Sequence, residues 1–269
     1  MAKYNPAPAR QVIIHGDCWP VVSAVQSVVR AIHPECRCDI AGSLPYLLQY
    51  LRGAPEAVLI LCLRPREHIY LFYALKSLLQ EHPVLVISDE LLFSDRLVLH
   101  SWGGISCASY CETESIIAGL QNYGHCPSPL KKGKLPRFLS APECVTGFFA
   151  VPMIFNNPER LMRFMSLLMY RATTDCGITR SQQKLLWTLY KGHYTLSGLA
   201  NVLNRSEKQI WQDKGRILMK LGMRNRLHEL LYGTRLCPDM QRTAFISPAD
   251  VETVSSGKCN EVFARPEIS

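Results

Sequence analysis

The sequence predicts two domains: an α/β domain with a five-stranded parallel sheet of flavodoxin-like order, then an all-α domain built on a helix-turn-helix. Three observations lead there. Between residues 11 and 122, short apolar runs alternate five times with helical patterns, the order of successive βα units. From Ile178 to Leu231, three or four short helical patterns follow one another, each with its own start and stop signals. The positive charge of the chain is concentrated in that second stretch. With 269 residues, 48% of them hydrophobic and 19% charged, the chain is long enough for two cores.

In order, Gln11–Ile14 reads as strand one, and about Pro20 to Ile32 as the helix after it. A short strand near Cys38 to Ala41 leads into a helix from Ser43 to Arg52, with Ser43 as its cap. The unbroken apolar run Ala57–Cys62 fits a central strand buried on both faces. A helix from about Glu67 to Glu81 follows. Pro83–Ser88 is the fourth strand, Ser94 to Trp102 a helix, Gly104–Cys107 a short fifth strand, and about Glu112 to Asn122 the last helix. These units define a first domain over residues 10–122.

Residues 123–175 form a connector. Cys126–Pro136 reads as a flexible basic linker, and Val145–Phe155 as an apolar strand or docking segment. Asn157, Pro158 and Glu159 supply a cap, a first-position proline and a first-turn acid for an amphipathic helix over 158–171. Packing on its own domain is the plainer use of that helix, and a dimerisation face the rival.

The second domain covers residues 176–235. Thr179 and Gln182 form a capping box ahead of a helix with Leu185, Leu186 and Leu189 on its apolar face, ended by Gly192. A second helix spans about Leu196 to Leu203, with Leu196, Leu199 and Leu203 on one side. Asn204 and Arg205 make the turn. Ser206 and Gln209 form another capping box, opening a helix to about Leu221, with Gly222 beyond it. Ile210, Ile217 and Leu221 share the core face of that helix. A tight helix-turn-helix with a basic second helix suits the DNA major groove, which such helices approach with their N-terminal residues. The expected DNA-contacting set is Arg205, Lys208, Gln209, Trp211, Gln212, Lys214, Arg216 and Lys220. Lys214 falls on the core side, where a stem lying along apolar surface is the plainer role. The tail, 236–269, is polar with scattered Pro and Ser and is expected to be disordered.

The charge distribution agrees. Residues 176–235 hold five lysines and six arginines against Glu207, Asp213 and Glu229, a net of +8, which equals the net charge of the whole chain. The field is therefore placed where phosphate neutralisation would use it. The 11 cysteines are scattered and odd in number. Cys36-x-Cys38 and Cys107-x3-Cys111 lack a second ligand pair at zinc spacing, so reduced thiols are expected. No run approaches the length of a membrane span, and the first residues lack the apolar core of a signal peptide, so the expected location is the cytoplasm. No phosphate loop, triad or metal spacing suggests an enzyme, and no cofactor is expected.

The pattern L-N-R-S-E-K-Q-I at Leu203–Ile210, followed by K-G-R-I-L-M-K-L-G at Lys214–Gly222, resembles the LuxR/FixJ-type helix-turn-helix, and within it the Rcs-type capsule regulators. Leu218 stands where a methionine is usual, with Met219 next to it. Gly192–Ala200 is one residue longer than usual, with Ser197 in place of an acid, and Gly215 replaces a side chain that often faces DNA. The domain ahead of it resembles a receiver. That resemblance implies an acidic pair after strand one and an aspartate ending strand three, which together hold Mg²⁺ and accept a phosphoryl group, and a lysine after strand five. Here Asp17 has Gly16 in the other acidic position, and Cys62 takes the phosphoacceptor position. Ser88 follows strand four as usual, and Ala108 or Ser109 stands in the lysine position. A thiol and a lone carboxylate cannot replace that metal site, so the resemblance implies a degenerate receiver. It also implies a bacterial, nucleoid-associated transcription regulator that binds double-stranded DNA without needing phosphorylation. Its expected partner is an Rcs-type response regulator, in heterodimeric activation, and a homodimer is the alternative. A second alternative is a ligand sensor with a small-molecule pocket in the N-terminal domain, against which the βα alternation counts.

Overall fold

The computed structural model describes residues 10–123, 133–192, 195–224, 227–247 and 250–251. Strands β1 (Gln11–Gly16), β2 (Arg37–Ala41), β3 (Val58–Cys62), β4 (Val84–Ser88) and β5 (Ser106–Ser109) form one parallel sheet in the order β2-β1-β3-β4-β5. That order is flavodoxin-like. Its register sets Gly16 beside Cys62 and Ser88 beside Ser109, so the C-terminal ends of the strands share one edge.

Because side chains alternate across a strand, β3 feeds two cores. Leu59 and Leu61 enter one cluster with Ile13, Val84 and Val86. Val58, Ile60 and Cys62 enter the other with Val12, Ile14, Leu85 and Ile87. The helices of this domain are α1 (Trp19–Ile32), α2 (Leu44–Gly53), α3 (Ile69–Ala74), α4 (Lys76–Glu81), α5 (Phe93–Ser101), α6 (Tyr110–Tyr123) and α7 (Lys134–Ser140). Helices α1, α6 and α7 cover the second cluster, and α2 to α5 the first.

Two local expectations change. The single helix over 67–81 is three pieces: a 3-10 turn at Pro65–Glu67, then α3 and α4 meeting at Leu75. All six residues of α3 are buried, so no polar stripe marks where it stops. Part of the expected linker is helical: Leu135 and Leu139 of α7 pack on the sheet. The rest of that linker, 126–132, lies outside the described residues, as do 124 and 125.

The connector belongs to this body. Helix α8 (Pro158–Asp175) is capped by Asn157, whose Oδ1 accepts from the Glu159 and Arg160 amides at 2.8 and 3.4 Å. Its Leu161, Met162, Met165 and Met169 join the first core cluster. The segment Val145–Phe155 docks rather than adding a strand: Val151 is buried, and the Phe155 amide donates to the Tyr73 hydroxyl at 2.8 Å. Gly103, at φ 83, lets this segment approach; a Cβ there would meet the Phe149 ring.

The expectation of a disordered tail from residue 236 is wrong for the part the structure describes. Leu236, Ile246 and Val251 are buried in the first cluster. Phe245 stacks on Tyr73, with centroids 5.9 Å apart, and meets Tyr70 edge-on at 5.5 Å. Arg52 donates to the Val251 carbonyl at 3.1 Å. Widely spaced apolar residues in a polar sequence show no periodicity, yet each finds a site on a body already formed. We call this stretch the strap; residues 252–269 lie outside the described residues.

Helices α9 (Arg180–Lys191), α10 (Leu196–Leu203), α11 (Glu207–Lys220) and α12 (Leu227–Gly233) surround a third, small core. It holds Leu185, Leu186, Leu199, Ile210, Ile217 and Leu221, together with Leu218. Among the described residues no helix is long and apolar enough to cross a membrane.

Large-to-small changes at packed aromatics cost several kcal/mol, whereas exposed positions cost little. Phe245→Ala in the strap should therefore destabilise the chain by about 2–4 kcal/mol. Leu167→Ala on the open side of α8 should cost under about 0.5 kcal/mol. Urea unfolding of the two variants checks this, and an unshifted midpoint for Phe245→Ala would refute the packed strap.

Candidate nucleic-acid interface

The geometry of the helix-turn-helix is built by its caps. Thr179 and Gln182 close a capping box on α9, and Ser206 and Gln209 close another on α11. Between α10 and α11, Asn204 adopts the left-handed conformation, φ 51, in which its amide closes the end of α10. Ile210, Ile217 and Leu221 are buried, as their spacing predicts. Leu196, expected beside Leu199, has a side chain outside the described part.

The opposite face of α11 is open. Lys208, Gln209, Trp211, Gln212, Arg216 and Met219 are exposed, Trp211 by 56% and Met219 by 74%. Lys208, Gln209 and Gln212 lie in its first two turns, where backbone N–H groups and the helix dipole add to the attraction for phosphate. Lys214 is half-buried.

Four of the expected contact residues have partners within their own domain: the Gln209 side chain closes the capping box with Ser206, and Arg216 lies 3.8 Å from Asp213. Arg205 donates to Asp213 Oδ2 at 2.7 Å and reaches the Ser181 hydroxyl, locking the turn to α11 and α9. Lys220 donates to the Gly177 carbonyl at 2.5 Å. Sequence reading put Arg205 and Lys220 in the DNA-contacting set and could not place these acceptors. Asp213 was the available signal for Arg205: an acid in the middle of a basic helix is usually paired.

The receiver-like residues lie together at the C-terminal edge of the sheet. Cys62 is buried, and burial pushes its thiol far above the ordinary range, so it is a neutral packing group. Ser88 donates to the Glu90 carbonyl at 3.1 Å. Gly16 sits so close to β3 that a Cβ there would run into the Cys62 carbonyl. Ala108 is buried, and the Ser109 hydroxyl accepts from the Cys111 amide at 3.2 Å.

Asp17 has acquired partners that no local pattern suggests. His68 Nε2 lies 3.3 Å from Asp17 Oδ2, and Arg242, 225 positions away, donates to the same oxygen at 2.7 Å. The hydrogen bond from His68, helped by the charge of Arg242, holds the Asp17 carboxyl below its usual range. Arg242 also reaches Glu67 at 2.8 Å, and Thr243 meets His68 Nδ1 at 2.9 Å. The strap thus lays a cation on the carboxylate edge.

Nine cysteines among the described residues are free thiols. Two side-chain groups there could offer three ligand atoms to a metal ion, His33, Glu35 and Cys36, and Glu90, His228 and Glu229. Neither includes the Asp17 edge.

No protein-family model and no curated protein matches this chain. Solved structures similar to it include an RcsB response regulator bound to DNA, at 19% identity over 83% of this chain and 97% of that one, with a TM-score of 0.46. RcsB from Salmonella enterica serovar Typhimurium, bound to promoter rprA with a phosphomimetic, matches at 17% identity over 84% and 98%, TM-score 0.43. The response regulator StyR matches at 15% identity over 83% and 98%, TM-score 0.31. At such scores the likeness carries no argument; the strand order and the exposed helix are this chain's own.

The depressed carboxyl of Asp17 gives a pH signature. A carboxylate whose folded value is lowered contributes stability above its unfolded value, near about 3.9, and loses it as pH falls through the folded one. Asp17→Asn should therefore destabilise the chain at pH near about 7, and the gap to wild type should close in acid, below about pH 4. Urea unfolding across that range measures it; a gap that persists in acid would assign the effect to packing.

Proposed function

We propose that this chain is a DNA-binding transcription regulator, with α11 as the helix that enters the major groove. The observation that carries the reading is the open N-terminal face of α11, with Lys208, Gln209, Trp211 and Gln212 exposed on a helix whose start its own capping box fixes. Gln212 there suits a bidentate contact to an adenine edge, and Lys208 and Arg216 suit phosphate or guanine. The net charge of +8 in residues 176–235 provides the non-specific part of the affinity.

The N-terminal domain in this reading is a receiver-like body that works without phosphorylation. A buried neutral thiol at Cys62, the glycine at 16 and the Arg242 cation on Asp17 support it. The regulator acts in pairs. With Gly215 on the groove-facing side of α11, one copy reads few bases, and each good bidentate contact adds only about 1–3 kcal/mol of discrimination. Two recognition helices about one DNA turn apart overcome that. The favoured partner is an Rcs-type response regulator, following the resemblance at Leu203–Ile210 and Lys214–Gly222, and a second copy is the alternative. The chain carries no catalytic assignment in this reading and acts in the cytoplasm of a bacterium.

The DNA-binding half is tested by gel shift against sites selected from a random duplex library. Lys208→Ala should weaken binding to all sequences and lower the salt slope by about one, while Gln212→Ala should relax preference at one position. Lys184→Ala, behind the interface, should change little. Unaltered affinity in both of the first two would remove α11 from the groove. The pairing half is tested by sedimentation and footprinting of the pure chain, with and without the response regulator and with and without acetyl phosphate. A full footprint only with the regulator, indifferent to acetyl phosphate, is expected. A full footprint by a stable homodimer alone would reject the heterodimer.

A further inference from the structure

A groove of about 1130 Å³ runs between α8, α9 and the start of the strap. Its apex is closed where Gln183 donates to the Thr173 hydroxyl at 2.7 Å. Met162, Met169 and Leu186 form a buried apolar floor. Leu167, Tyr170 and Trp187 stand at the lip, exposed by 66%, 50% and 60%. Three large apolar side chains facing water around one hollow are not the scatter of an ordinary surface.

The lip is also charged. Lys191 stands 5.4 Å from the Trp187 ring centroid, and the Arg235 guanidinium 5.6 Å from that of Tyr190. Neither takes part in an ion pair among the described residues. Arg163 has only a loose contact, 3.7 Å, with Glu159, the one acid of the lining. An apolar floor under a cationic lip selects an occupant with an apolar face and acidic edges.

Size decides what kind of occupant. Small-molecule pockets hold about 300–1,000 Å³ and bury most of their ligand, whereas this groove is larger and lies open along one side. Its α8 wall extends over residues 159–173, about 20 Å of helix. A third helix laid in a groove between two helices is the packing that such walls accept. A second copy of this chain fits poorly, because pairing two such lips would oppose Arg163, Lys191 and Arg235 with their own counterparts.

We propose that the groove between α8 and α9 is a docking site for an amphipathic helix of another protein, apolar on one face and acidic along its edges. The site is independent of the DNA-binding reading, since no residue of α11 lines it. It draws one wall from the sheet domain and the other from the helix-turn-helix domain, so an occupant fastens the two.

The test uses the full chain and two labelled helical peptides of about 18 residues. They share leucines at i, i+3, i+4 and i+7; one carries glutamates along the edges and the other lysines. Fluorescence anisotropy should show the acidic peptide binding at least about tenfold more tightly than the basic one, less so as salt rises. Leu167→Asp should abolish binding. Lys191→Glu, alone and with Arg235→Glu, should move the preference toward the basic peptide, with circular dichroism verifying that each variant is folded. No binding of the acidic peptide, equal binding of both peptides, or an unmoved preference in the charge-reversed variants would overturn the proposal. So would self-association of the pure chain that Leu167→Asp abolishes, which would give the groove to a second copy. Saturation by a small apolar anion such as anilinonaphthalene sulfonate with neither peptide binding would also overturn it.

Discussion

The Arg66 guanidinium lies buried against Asp95, 2.5 Å from one carboxylate oxygen, and the Arg66 amide donates to the other at 2.9 Å. Removing one partner of such a buried pair costs about 3–5 kcal/mol, because the other charge stays desolvated. Here the pair also pins the loop after β3 to the first turn of α5. Every neighbour in that loop is thereby aimed: Arg64 at Asp89, Glu67 at Arg242, His68 at Asp17 and Thr243. The carboxylate edge, the strap and α5 meet at one fixed turn of backbone.

Helix α5 carries the constraint onward. Phe93 reaches into the small core of the helix-turn-helix domain, Ser94 donates to the Tyr232 carbonyl at 3.0 Å, and Arg96 donates to the Leu221 carbonyl at 2.5 Å. Leu221 follows the last turn of α11, at the end away from the exposed Lys208, Gln209 and Gln212. The sheet domain therefore grips α11 by its C-terminal end and leaves its N-terminal end to solvent. Arg205 and Asp213 add stiffness within the module, so the exposed face of α11 is presented on a rigid turn.

How much of this the sequence displays depends on the range of the cause. Capping boxes at Thr179/Gln182 and Ser206/Gln209 are three-residue devices, and both form. The strands are legible because β3 and β4 are buried on both faces and so read as unbroken apolar runs. The break at Leu75 is hidden for the same reason, since a fully buried helix has no polar face to lose its phase. Helix α7 is masked by the prolines and lysines around it. The acceptor of Arg205 is hidden because it lies eight positions on, beyond the i+4 reach of a helix pair. The strap has no local signature: Phe245, Ile246 and Val251 acquire their meaning only from Tyr70, Tyr73 and Arg52.

The strap changes how the chain divides. The sheet domain takes its last packed residues from beyond the helix-turn-helix, so residues 176–235 are an insertion between two parts of one body. A module on a single leash can sweep a cone; one fastened at both its entry and its exit can only pivot about the line joining those points. In the proposed paired complex, the separation and relative twist of the two α11 helices would then be largely inherited from how the sheet domains pair. Under the proposed function, the distance between half-sites would report on a protein surface that never touches DNA.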